Sequence, residues 1–236
     1  MTLKLGFLLC DHIMPALEAE FPDYPEMFAA AFARVTDQIE WHVFDVTNGE
    51  LPLNPAHFDA YLISGSRCSV YDPEPWIASL EVFVRSIVEA RKRAVGLCFG
   101  HQLIAQALGG KVKKAASGWG IGVLEYQTLS ESALLPDAGS FVVPACHQDQ
   151  VVSLPDNSER VARADYCENF VIHYSPDVIG IQGHPEFEPE FIGGLLRWRE
   201  FPAAAAEVAK KSLTRANDNL VLRKRIFDFL NHSEPL

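Results

Sequence analysis

The chain of 236 residues contains no Cys-x-x-Cys pair and no His-x-x-x-His pair, which speaks against a structural zinc site and leaves no metal ligand set to name. Its five cysteines are Cys10, Cys68, Cys98, Cys146 and Cys167, an odd number without paired spacing, so a disulfide framework is not expected. Reduced thiols point to the cytoplasm. Positive charge is scarce: 20 Lys and Arg against 31 Asp and Glu give a net charge of −11, which argues against a nucleic-acid partner and against attraction to an anionic membrane. A basic cluster at Lys210, Lys211, Arg215, Arg223, Lys224 and Arg225 reads as a solvated helix face. No apolar run approaches the ~20 residues of a membrane-spanning helix. The amino-terminal run is too short for a secretory signal, and Leu3 to Leu9 reads as a first core strand. Phosphate loops of the Gly-x-x-x-x-Gly-Lys form, internal repeats, low-complexity tracts and long linkers are all missing, so one domain over residues 1–236 is expected.

What is present is a pattern of apolar strands alternating with amphipathic helices. Nearly half of the residues are hydrophobic, enough for a sizeable core. Met27, Phe28, Ala31, Phe32 and Val35 recur at helical spacing over 24–35, and Ile77, Leu80, Val84, Ile87 and Val88 do so over 75–93, a helix that Pro75 opens. Strands are expected at 39–46, 59–63, 94–97 and 178–182, with helices at 103–108, 188–200 and 217–231. From 111 to about 172 short alternating segments with turns, such as 122–129 and 151–154, predict antiparallel strands laid over one side of the main sheet. The fold class is therefore α/β: an open, mostly parallel sheet with helices on both faces and a small antiparallel strand layer.

The run Val95-Gly96-Leu97-Cys98-Phe99-Gly100-His101-Gln102 joins a buried strand to a helix through Gly96-x-Cys98-x-Gly100. That is the spacing of a nucleophile elbow, in which small residues on either side let strand and helix approach closely. The helix start aims free N–H groups and partial positive charge at the sulfur, which favours thiolate over thiol. A thiol nucleophile needs a base. The expected strand over 178–182 runs into Gly183-His184-Pro185-Glu186, where His184 is placed to accept the proton and Glu186 to hold the imidazole. Alone that triplet would read as a surface turn; beside the elbow it reads as the other half of a site.

Gly96-Leu97-Cys98-Phe99-Gly100-His101-Gln102 and His184-Pro185-Glu186 together resemble the class I glutamine amidotransferase family. The resemblance implies a flavodoxin-like fold and a catalytic triad of Cys98, His184 and Glu186, working through a γ-glutamyl thioester without a cofactor. It also implies oxyanion N–H donors in the Ser64-Gly65-Ser66 loop (Gly65 and Ser66) and at Phe99. Ser64-Gly65-Ser66 stands where many members carry Gly-Gly-Pro, and Cys146-His147-Gln148-Asp149 where synthetase-linked members often show His-Gly-Asp. With Leu8-Leu9-Cys10-Asp11, these variants are similar to the stand-alone branch that includes the γ-glutamyl peptidases. They leave the acyl acceptor open.

The resemblance further assigns Gln102, Trp119, His147 and Asp149 to substrate binding. The residues alone leave two readings there: Trp119 lines the pocket or fills the core, and His147 holds substrate or pairs with Asp149 in a surface loop. Tyr71, Asp72 and Trp76 either shape the leaving-group side or simply open a helix. The expected partner is a small γ-glutamyl compound such as glutamine. Three functions are compatible with this reading: a self-contained γ-glutamyl hydrolase or transferase, a glutaminase subunit that feeds ammonia to a separate ATP-dependent synthetase, and a regulatory module that kept the fold without turnover.

Overall fold

The computed structural model describes residues 2–130, 134–135 and 139–232. Five short apolar runs form the parallel half of its large sheet: β1 (Leu3–Leu9), β2 (Ile39–Asp45), β3 (Ala60–Ile63), β4 (Arg93–Leu97) and β11 (Val178–Ile181). Between them run α1 (Tyr24–Ala33), α2 (Pro75–Glu89) and α3 (Phe99–Ala107). Near-continuous burial of β1, β3, β4 and β11 is what a sheet covered on both faces requires. Side chains alternate across it. On one face Phe7, Leu62 and Val95 pack under Phe28 and Phe32 of α1 and under Leu222 and Ile226 of α6 (Asn219–Asn231). On the other, Leu8, Tyr61 and Ile63 meet Ile77, Leu80 and Val84 of α2 and Leu103 and Ile104 of α3.

The remaining strands are β5 (Lys111–Lys114), β6 (Gly120–Thr128), β7 (Ser140–His147), β8 (Asp149–Ser153), β9 (Glu159–Ala164) and β10 (Cys167–Ser175). Among the described residues the nine-stranded order is β2-β1-β3-β4-β11-β10-β9-β6-β7, and β5 and β8 form a separate two-stranded sheet. The expected antiparallel layer is thus present but small. The segment 122–129 does not lie over the main sheet; as β6 it extends that sheet, pairing antiparallel with β7 and β9.

After β11 come α4 (Pro189–Trp198), α5 (Ala203–Ser212) and α6. The sequence reading placed no helix where α5 lies; its alanines favour helix by propensity without drawing a marked apolar stripe. The basic cluster is not uniformly solvated. Lys210, Lys211 and Lys224 are exposed, whereas Arg223 is fully buried under the loop after β11. No described helix is long and apolar enough to cross a membrane.

Candidate active site

Register builds the site. β4 and β11 are parallel neighbours with Leu97 opposite Ile181, so the loops that leave both strands open at the same sheet edge. Strand ends of this kind are where open α/β sheets collect ligands. Cys98 donates its N–H to the Ile181 carbonyl at 2.8 Å, tying the two chain segments together at that edge.

Cys98 sits at φ 50°, ψ −101°, a backbone conformation that side-chain-bearing residues rarely adopt and that costs on the order of 1–3 kcal/mol. Its surroundings hold it there. A Cβ on Gly96 would stand 2.5 Å from the Gly100 backbone, and one on Gly100 would stand 2.6 Å from the Ile63 carbonyl oxygen. Only glycines allow β3, β4 and α3 to come this close. α3 starts at Phe99, directly after the thiol, and not at 103 as its apolar periodicity predicted.

His184 is buried and its Nδ1 lies 2.7 Å from Glu186 Oε1. Phe187 stacks on the imidazole with ring centres 4.2 Å apart. Burial by itself would push the imidazole down, but the Glu186 carboxylate and the Cys98 sulfur, which His184 hydrogen-bonds, together hold it up at about 10. The loop that presents the pair is fastened from below. Arg223 donates from Nε to the Pro185 carbonyl at 2.7 Å and from Nη2 to Glu188 at 2.8 Å, and Asn219 donates from Nδ2 to the Phe187 carbonyl at 2.7 Å.

Gly65 packs against both His184 and Cys98: a Cβ there would lie 2.9 Å from the His184 ring and 3.7 Å from Cys98 Cβ. Ser64 anchors the loop, receiving the Cys10 N–H on its hydroxyl at 2.8 Å and the Gly100 N–H on its carbonyl at 3.2 Å. Gly65 and Ser66 line a cavity of about 290 Å³ together with Cys98, His184 and Glu186. Phe99, the first residue of α3, packs its ring against Trp76 with ring centres 5.4 Å apart.

A second cavity, of about 90 Å³, shares Cys98 with the first and is polar: Gln102, Trp119, His147 and Asp149 all line it. The structure therefore brings the four expected substrate residues together. His147 is buried in β7 and does not pair with the Asp149 carboxylate, which accepts a hydrogen bond from the Ser69 hydroxyl at 2.5 Å. Burial, with His184 nearby, pushes His147 down to about 3, so it stays neutral. Trp119 does line the cavity, while also meeting Phe201 edge-on and carrying the Arg199 guanidinium 4.7 Å above its ring. Tyr71, Asp72 and Trp76 line neither cavity; Tyr71 is half exposed, and Asp72 accepts the Ser69 N–H.

Two residues escaped the sequence reading. Gln182, fully buried at the end of β11, donates from Nε2 toward Cys98 Sγ at 3.6 Å, and its Oε1 accepts from Gln102 at 3.1 Å. A polar amide closing a buried apolar strand was the available signal. Arg199 reaches both cavities; the expected helix over 188–200 includes it, whereas α4 ends at Trp198 and leaves Arg199 extended.

A strained thiol at a strand-to-helix turn, with a carboxylate-held imidazole on the neighbouring strand, defines the geometry of a cysteine-nucleophile site on an α/β sheet. The family model for class I glutamine amidotransferases matches residues 24–194, and the chain belongs to that family. It is 31% identical over 178 residues to γ-glutamyl peptidase 5 of Arabidopsis thaliana, a match covering 72% of this chain and 70% of the relative. A glutamine-hydrolysing GMP synthase subunit of Methanosphaera stadtmanae is 38% identical over 102 residues, 42% of this chain and 54% of that protein. Among solved structures, a glutamine amidotransferase from Methylobacillus flagellatus superposes with a TM-score of 0.76 at 17% identity, covering 98% of this chain and 93% of the other, a likeness of fold.

Proposed function

We propose that the chain, acting as one unit in the cytoplasm, cleaves γ-glutamyl amide bonds through a thioester on Cys98. The observation that carries this reading is the His184–Glu186 pair, fixed at 2.7 Å beside a thiol held in a strained turn. The Cys98 sulfur attacks the γ-carbonyl carbon while His184 holds the thiol proton. The tetrahedral oxyanion lies toward the N–H groups of Gly65, Ser66 and Phe99; losing one such donor typically slows turnover ~10²–10³-fold. Collapse breaks the C–N bond, His184 delivers the proton to the departing nitrogen, and water then hydrolyses the thioester to glutamate. Glu186 keeps the imidazole in the required tautomer and supports its charge. The glutamyl head occupies the polar cavity among Gln102, Trp119, His147 and Asp149.

A glutamine-like electrophile should label Cys98 alone among the five cysteines. Labelling that persists in Cys98→Ala would overturn the assignment. The likeness to a GMP synthase subunit favours a second reading, in which the released ammonia passes to a separate synthetase. The two part on one assay: the purified chain, without ATP or partner, should cleave a γ-glutamyl amide. Silence until a synthetase and ATP are added would select the second reading. The intact Cys98, His184 and Glu186 argue against a purely regulatory module.

A further inference from the structure

The two cavities that meet at Cys98 differ in kind. The polar one, of about 90 Å³, suits a small charged head. The larger, of about 290 Å³, is walled by Ile13, Leu17, Phe28, Phe187, Phe191 and Leu195, all buried. His184 fixes which part of a substrate enters which cavity. The departing nitrogen takes its proton from this imidazole, so the substituent on that nitrogen lies on the imidazole side. That side is the apolar cavity, which His184 and Glu186 line and from which Gln102, Trp119, His147 and Asp149 are absent.

We infer that the Ile13–Phe191 cavity binds the leaving amine of the γ-glutamyl substrate and selects amines that carry a bulky apolar group, such as the side chain of leucine or phenylalanine. The inference rests on the thioester reading of Cys98. Size supports it: a dry cavity of about 150 Å³ holds a benzene ring, so 290 Å³ takes such a side chain with room to spare, whereas ammonia from free glutamine would leave it empty. The cavity is also formed in advance. The segment carrying Ile13 is pinned through His12, whose Nδ1 and Nε2 lie 2.6 and 2.9 Å from Asp23 and Asp45, and the Ile13 N–H donates to Asp23 at 2.7 Å. Arg67, at the edge, is occupied by Asp11 through two side-chain bonds of 2.8 Å. A preformed apolar wall gains affinity without the cost of ordering a loop.

The chemistry needs no further reagent. The substrate's C–N bond breaks, the free amine R-NH2 departs from this cavity with the proton relayed by His184, and water completes the hydrolysis. The test is to measure kcat/KM of the full chain on γ-glutamylglycine, -alanine, -leucine and -phenylalanine, with glutamine as reference and the released amine identified by mass spectrometry. The leucine and phenylalanine compounds should exceed the glycine compound by at least ~10-fold, since even one methylene in an apolar pocket is worth 10–200-fold. Met14 also lines this cavity, and Met14→Trp, which fills it from that wall, should bring the ratio toward one. Leu195→Ala, which enlarges it, should favour phenylalanine over leucine and serves if the tryptophan variant does not fold. Leucine and phenylalanine compounds cleaved within ~2-fold of the glycine compound would overturn the inference and leave the thioester reading standing. Failure of all four, with Cys98 unlabelled by a glutamine-like electrophile, would overturn both.

Discussion

Around Cys98 the constraint is written into a short motif: Gly96, the thiol and Gly100 fall within five residues, with Gly96 against the Gly100 backbone and Gly100 in turn against the Ile63 carbonyl of the neighbouring strand. Around His184 it comes from afar. Arg223 and Asn219, some 35 positions further along the chain, hold the Pro185 and Phe187 carbonyls from a helix on the opposite side of the loop. One half of the site is fixed by sterics that a motif records, the other by hydrogen bonds that no motif near His184 contains. Damage to the first should therefore strike the fold, and damage to the second should strike the base while sparing the thiol.

The severest break is Gly100→Ala. The new methyl would meet the Ile63 carbonyl at 2.6 Å, and neither backbone can yield without opening the sheet. A loss of about 3 kcal/mol or more is expected by denaturant unfolding, at the upper end of overpacking effects. Next is Arg223→Met, which leaves the Pro185 carbonyl buried without a partner. It should lower stability by about 1–3 kcal/mol and kcat by at least ~10-fold, while alkylation of Cys98 by a small unselective electrophile continues. Equal loss of both readouts would mean that the two halves are one cooperative unit.

Smaller, and confined to the base, is Glu186→Gln. With the carboxylate gone, burial is no longer opposed by its negative charge and the His184 pKa falls from about 10. The alkaline limb of the turnover profile, where the imidazolium is lost as an acid, should move to lower pH; an unmoved limb would assign it to another group. Smallest is His12→Ala. The pKa of His12 is raised by its bonds to Asp23 and Asp45. This contribution is therefore complete below the unfolded value near 6.5 and fades as pH rises through the elevated folded value. The pKa values of Asp23 and Asp45 are lowered against their burial by these and other bonds, so their share fades only as pH falls through the depressed values. The variant should cost less than about 1 kcal/mol, since the pair is partly exposed and screened, and the deficit should be largest at about pH 5–6 and shrink toward pH 9.

The same contrast explains what could be read in advance. The parallel strands, the elbow, and His184 with Glu186 were legible because short-range patterns encode them. Arg223 was misread as solvent-facing because Lys224 and Arg225 follow it. Its distances of 3, 4 and 7 positions from Ile226, Phe227 and Leu230 nevertheless place it on the apolar face of α6. The role of β6 was misplaced for a different reason: alternation tells which face of a strand is buried, not which sheet it joins.

The pairing of Leu97 with Ile181 has a consequence in time. The proposed nucleophile precedes Glu186 by 88 positions (186 − 98), and at ribosomal speeds of ~5–20 residues per second that separation is roughly 4–18 s of synthesis. Throughout that interval the nascent chain carries its thiol without the His184–Glu186 pair, and the proposed site is assembled only when β11 slots in beside β4.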